Sequence, residues 1–210
     1  MQPASTFAPE SRVAAAPGPA PKPDSTRRPA VPVIRAYPIG VVLLSIGVNA
    51  LAGIGAYVPT LPGMDLLAAL AVTGALLLVN HTWLMTVTEE VRHHFQIPTT
   101  PEQWKERGLG PGQLSHAGVL ELQRHHGAHR NATENTTLFV LVATTFMLGA
   151  PDPLLAQLWI VCFGVARLGH TYGYLRGRDG VRGLFMTLSL LSLYGMGSHA
   201  LLSVWSAAPG

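Results

Sequence analysis

The sequence predicts an all-α integral membrane protein, and three observations carry that prediction. Only 12% of the 210 residues are charged while 48% are hydrophobic, against about 25% charged in soluble domains. Apolar stretches recur at residues 38–58, 64–87, 137–150, 153–175 and 183–205, and four of the five reach the ~20 residues needed to cross ~30 Å of hydrocarbon. The basic residues are distributed unevenly around these stretches, in the pattern that sets membrane topology.

Taken in order, residues 1–37 form a Pro/Ala/Ser-rich tail holding eight of the seventeen prolines, with Lys22, Arg27, Arg28 and Arg35 scattered through it. Such a composition buries little and predicts disorder. Residues 38–58 predict an extra N-terminal membrane helix. Basic residues, an apolar run and Ala-Leu-Ala at Ala50–Ala52 also fit a secretory signal with an A-x-A site. The tail is long for a signal and the run continues to Val58, which favours a retained helix. Residues 64–206 then predict a four-helix membrane domain. Its second apolar stretch, 137–150, is short by itself. A helix starting upstream, near Pro111 to Ser115 with Ser115 as its cap, supplies the missing length.

The connections TLPG (60–63) and APDP (150–153) carry no Lys or Arg, whereas the tail, the 88–133 connection and the RGRDGVR turn (176–182) carry nearly all of them. By the positive-inside rule these basic segments share the cytoplasmic side, with the N-terminus inside and the cell's inner membrane as the location. The pI near 9.4 does not indicate nucleic acid, because the cations punctuate apolar runs and form no continuous patch. Cys162 is the only cysteine, so neither a disulfide within the chain nor a multi-cysteine metal site is available. Asn131-Ala-Thr and Asn135-Thr-Thr match glycosylation sequons but fall on the cytoplasmic side of this topology. No phosphate-binding glycine loop or nucleophile elbow occurs.

The polar stretch RHHGAHRNATE (124–134) packs three histidines, two arginines, an asparagine and a glutamate into eleven residues before the chain turns apolar. On a helix, Arg124, Asn131 and Glu134 fall close to one stripe, and Arg130 and Glu134 are i, i+4 neighbours able to pair. The next helix end repeats the design, with Arg167, His170 and Tyr174 at i, i+3 and i+7. Ionisable groups within a span usually face a bundle interior or a wet cavity. Together with Arg92 and Arg182, the two stripes predict an electropositive pocket suited to a ligand carrying carboxylates, which arginine grips through charge-assisted hydrogen bonds. The plainer account is that arginines at helix ends snorkel to headgroups, and it fits Arg176 and Arg178 best.

HRNATENTTLF resembles the second-helix signature of the MAPEG family, the membrane-associated proteins in eicosanoid and glutathione metabolism; Ala128, His129, Asn131 and Glu134 match it. ARLGHTYGYL resembles the family's third-helix pattern through Arg167, His170 and Tyr174, and Val91–Arg92 resembles the end of its first helix. The resemblance covers residues 64–206. It implies a four-helix bundle per subunit, a homotrimer in the lipid bilayer, and glutathione as co-substrate bound between subunits. Carried over by position, Arg92, Asn131, Glu134, Arg167, His170 and Tyr174 become glutathione contacts, and Arg182 the residue beside the sulfur. Gly127 departs from the pattern, standing where catalytic members typically carry an arginine, and Arg124 one turn earlier is the substitute. A thiol of pKa about 8.5 must lose its proton to be nucleophilic, and a nearby cation favours the anion. The implied activity is that of a membrane-bound glutathione-dependent transferase or peroxidase acting on a lipophilic second substrate, an apolar electrophile or a lipid hydroperoxide.

Two other classes stand beside it. A catalytically silent membrane binding or scaffold protein with the same fold accommodates Gly127. A di-iron membrane oxygenase would use clustered imidazoles, for which His93–His94 and His125–His126–x–x–His129 are the candidates.

Overall fold

The computed structural model describes residues 31–208, so the tail expected over residues 1–37 lies outside it as far as residue 30. Six α-helices follow one another: α1 (Val31–Ala52), α2 (Met64–His94), α3 (Pro101–Glu106), α4 (His116–Leu148), α5 (Pro153–Leu175) and α6 (Asp179–Ala207), with a short 3-10 turn at Pro111–Gln113. No strand occurs among the described residues. The protein is an all-α membrane bundle. Helices α1, α2, α5 and α6 are each long and apolar enough to cross a bilayer. α4 is the longest, at 33 residues, but its first half is the polar cluster. Its apolar second half runs among the others and buries Phe139, Ala143, Phe146 and Met147.

The helix ends follow local chemistry. Ser115 caps α4, its side chain accepting from Gly118 N–H, so the helix begins where the capping signal placed it. Asp152 caps α5 by accepting from Leu155 N–H at 2.9 Å, and Pro153 occupies the first turn, where its missing N–H is not needed. α1 differs from the expected 38–58: it starts at Val31 and stops at Ala52. Gly53, at φ +89°, takes the left-handed conformation that ends the helix. Residues 53–63 then run without regular structure across the ends of two helices. Tyr57 N–H donates to Ser203 O and Thr60 N–H to Leu148 O, both at 2.9 Å. Tyr57 Oη donates to Thr145 O at 3.0 Å. At the end of α4 this strap supplies donors to carbonyls that the helix cannot satisfy itself.

The main core lies among α2, α4, α5 and α6, around Leu66, Phe139, Phe146, Trp159, Ile160, Phe163 and Met196. The Phe139 and Phe163 rings stack at 4.3 Å, only 5° from parallel. In lipid, helices associate through close packing and interhelical hydrogen bonds rather than through the hydrophobic effect. Both occur here. A Cβ on Gly195 would meet the Trp159 ring at 2.5 Å, and one on Gly169 would meet Phe185 at 2.4 Å. Thr73 Oγ1 on α2 donates to Ile160 O on α5 at 3.0 Å.

The connection between α5 and α6 is the tightest in the bundle. Three residues, 176–178, make the turn, with Gly177 at φ +61°. Arg178 N–H donates to Gly173 O and Arg182 N–H to Arg178 O, both at 2.9 Å. A Cβ on Gly173 would stand 2.6 Å from the Arg182 backbone nitrogen, so only glycine lets the start of α6 sit this close to the end of α5.

Candidate functional site

The polar ends of α2, α4, α5 and α6 meet at one end of the bundle. Adjacent residues on α4 make the link: His126 faces Arg92 of α2, and Gly127 faces Tyr174 of α5. Arg92 Nη2 lies 3.1 Å from His126 Nε2. Its Nε is 3.6 Å from Glu89 Oε1, beyond hydrogen-bond reach. Gly127 has a local structural reason. A Cβ there would be 2.7 Å from Tyr174 Oη, so a side chain at this position would push the phenol aside.

Tyr174 then carries the contact on to α6, with the Arg182 Cζ 5.4 Å from its ring centroid. His170, buried one turn earlier, has its ring 5.8 Å from that of Tyr174. His170, Tyr174 and Arg182 line one pocket of about 430 Å³ with Gly183, Met186, Thr187 and Tyr37. Arg182 Nη2 also pairs with Asp179 Oδ1 at 3.1 Å, on a surface where Asp179 is 85% exposed and Arg182 44%. Exposed pairs of this kind contribute about 0–1 kcal/mol, so Asp179 is readily exchanged for another anion.

Arg167 lies one turn before His170 on the same face of α5 and is completely buried. Its Nη2 donates to Asn131 Oδ1 on α4 at 2.7 Å. Among the described residues, Nε and Nη1 are buried with no hydrogen-bond partner. A guanidinium taken out of water without a carboxylate beside it costs several kcal/mol. Two of its donors are left available to an anion.

The remaining residues singled out by the sequence do not join this group within one chain. Arg124 is paired with Glu121 at 3.4 Å on the surface. Glu134 is exposed on α4, and no ion pair joins it to Arg130. Side-chain spacing alone puts Asn131 and Glu134 on one stripe, but the packing of α4 turns Asn131 inward and Glu134 outward. The histidines are also dispersed. The ring of His81 packs edge-on against that of His129 at 5.3 Å, and His199 lies against Phe146 and Ser203. Among the described residues no group of three or more His, Cys, Asp or Glu is placed to hold a metal ion.

Sequence reasoning missed Asp179, Gly173 and Tyr37. Asp179 stands at i, i+3 from Arg182, a spacing open to inspection. Gly173 carries no local signal that sets it apart from other small membrane residues, and Tyr37 falls in the stretch with a tail's composition.

The model of the MAPEG family matches residues 68–202, well over half of the chain. A prostaglandin E synthase of Equus caballus is 29% identical over 143 residues, covering 68% of this chain and 90% of that protein. The prostaglandin E synthase of Bos taurus is 28% identical over 145 residues, covering 69% and 91%. That of Canis lupus familiaris is 29% identical over 144 residues, covering 68% and 90%. The matched region begins within α2 and ends within α6, leaving α1 outside it.

Proposed function

The chain belongs to the MAPEG family, and on that premise we propose that it is a glutathione-dependent membrane transferase or peroxidase with a lipophilic second substrate. The relatives named for the synthesis of prostaglandin E support a lipid-type second substrate. The observation that carries the reading is Arg167, a wholly buried guanidinium with Nε and Nη1 unpartnered, one turn from a pocket edged by a second arginine. These residues fit glutathione, an anionic tripeptide whose carboxylates would satisfy idle guanidinium donors.

In this reading Asn131 holds Arg167 in place, His170 and Tyr174 shape the wall, and Arg182 faces the sulfur. The guanidinium favours the thiolate by opposite charge. With an electrophile, the sulfur forms a bond to carbon, the leaving group departs, and the thiol proton is released to water. With a hydroperoxide, two glutathione molecules are oxidised to the disulfide while the O–O bond is reduced to an alcohol and water.

Assembly belongs to the same reading. A carboxylate facing hydrocarbon is expensive, and Glu134 is exposed in its own chain. A homotrimer in the inner membrane, with the polar helix ends cytoplasmic, would bring Glu134, Arg92 and Arg124 toward a neighbouring subunit's glutathione. Binding of glutathione to detergent-purified protein, measured by calorimetry, tests the proposal together with thioether formation on a panel of apolar electrophiles. Saturable binding that is lost in Arg167→Met supports it. A protein that neither binds glutathione nor turns over any electrophile or hydroperoxide would be a silent relative.

A further inference from the structure

The pocket beside Arg182 has a wall from outside the family-matched region. α1 ends at Ala52, before the match begins at residue 68. Yet Tyr37 of α1 lines the same pocket as His170, Tyr174 and Arg182. The phenol is fixed there. Tyr37 Oη donates to Thr187 Oγ1 at 2.7 Å, and Thr187 Oγ1 in turn donates to Gly183 O at 2.9 Å.

A second anchor lies about three turns further along α1. Asn49 is fully buried. Its Nδ2 donates to Gly195 O at 2.8 Å and to Ser198 Oγ at 3.0 Å, while its Oδ1 accepts from Trp159 Nε1 at 3.1 Å. A cleaved signal segment has no use for a buried asparagine whose hydrogen bonds are completed by α5 and α6. Two anchors along one helix make α1 a fixed wall rather than a loosely attached one.

We propose that α1 is a retained part of the second-substrate pocket and that Tyr37 is a specificity-determining residue, its ring limiting the width available to a lipophilic substrate that reaches Arg182. The name given to the substrate rests on the transferase reading; the wall does not. The pocket is lined by Met186 and Thr187 of α6, by His170 and Tyr174 of α5, and by the Tyr37 ring of α1, which is bonded to Thr187. Removing that ring opens the pocket toward the lipid-facing surface of α1, where Ile34 is exposed. Replacing it with phenylalanine keeps the width and removes only the bond to Thr187.

The test uses the full chain in a Cys162→Ser background with Met186→Cys as a reporter inside the pocket. Labelling rates are measured with a small and a bulky maleimide. Tyr37→Ala is expected to raise the bulky-to-small rate ratio about 10-fold, the scale on which pocket size discriminates, and Tyr37→Phe to leave it unchanged. An unchanged ratio in a Tyr37→Ala protein that melts like its parent overturns the proposal. So does an intact mass showing that the purified chain starts after Ala52. Parallel assays with small and bulky electrophiles should show the same selectivity shift in turnover. A labelling shift in a protein without any glutathione turnover leaves the wall standing and removes the transferase reading.

Discussion

If glutathione binds as proposed, its thiol competes with Asp179 for the Arg182 guanidinium. Arg182 Nη2 sits 3.1 Å from Asp179 Oδ1 with both side chains substantially exposed, a pair contributing at most about 1 kcal/mol. The Tyr174 ring beneath holds the guanidinium at the pocket's edge. If Arg182 stabilises the thiolate, Arg182→Ala should lower turnover at neutral pH by roughly 10- to 100-fold, equivalent to about 1.4–2.8 kcal/mol. Asp179→Asn should act in the opposite direction. Freed from its partner, the arginine favours the thiolate more strongly, and a gain of up to about fivefold follows from about 1 kcal/mol. The assay is the pH dependence of thioether formation. The thiol is mostly protonated at neutral pH, so a lower thiol pKa means more thiolate and a faster rate. The inflection should therefore move down in Asp179→Asn and up in Arg182→Ala, the latter by ~1–2 pH units. Arg176→Ala, at an exposed turn position, is the control and should leave the profile in place. Inflections that stay put in both Arg182→Ala and Asp179→Asn, with turnover still present, would show that the thiolate is stabilised elsewhere.

Three other outcomes are expected. Gly127→Ala should retain or slightly raise the melting temperature, because alanine is favoured over glycine in a helix by about 1 kcal/mol. The same change should cut kcat/KM roughly 10- to 100-fold by displacing Tyr174; unaltered kinetics would mean that the phenol is not part of the site. Asn49→Leu leaves the Trp159 indole N–H without its acceptor and should cost about 1–3 kcal/mol in a detergent melting experiment, and a variant as stable as the parent would remove Asn49 as an anchor. Cysteines placed at Gln103 and Gly180 in a Cys162→Ser background should react with an impermeant reagent from the same side of sealed vesicles, and labelling from opposite sides would break the shared polar end.

The spans of α1, α2, α5 and α6 are legible because hydropathy and length alone report them, and the start of α4 is legible because Ser115 carries a capping side chain. The end of α1 was not. Residues 53–58 (GIGAYV) are as apolar as the helix before them, and only the left-handed conformation of Gly53 and the hydrogen bonds of Tyr57 to α4 and α6 turn them into a strap. The site divides in the same way. Arg167, His170 and Tyr174 share a face because helical spacing requires it. Which partner each side chain meets depends on neighbouring helices: Asn131 turns toward Arg167, and Glu134 turns outward. Tyr37 was the least accessible of all, since its partner is Thr187 and no local pattern connects positions so far apart.

The short turn after α5 also bears on how the protein responds to its membrane. A hydrophobic helix adapts to a thinner or thicker bilayer mainly by changing its tilt. Arg178 and Arg182 are bonded by backbone to the residues before them, and Gly173 admits the α6 backbone at a separation that no other residue allows. The end of α5 and the start of α6 therefore tilt as one rigid piece. The spacing between Tyr174 and Arg182 is thereby insulated from lipid chain length.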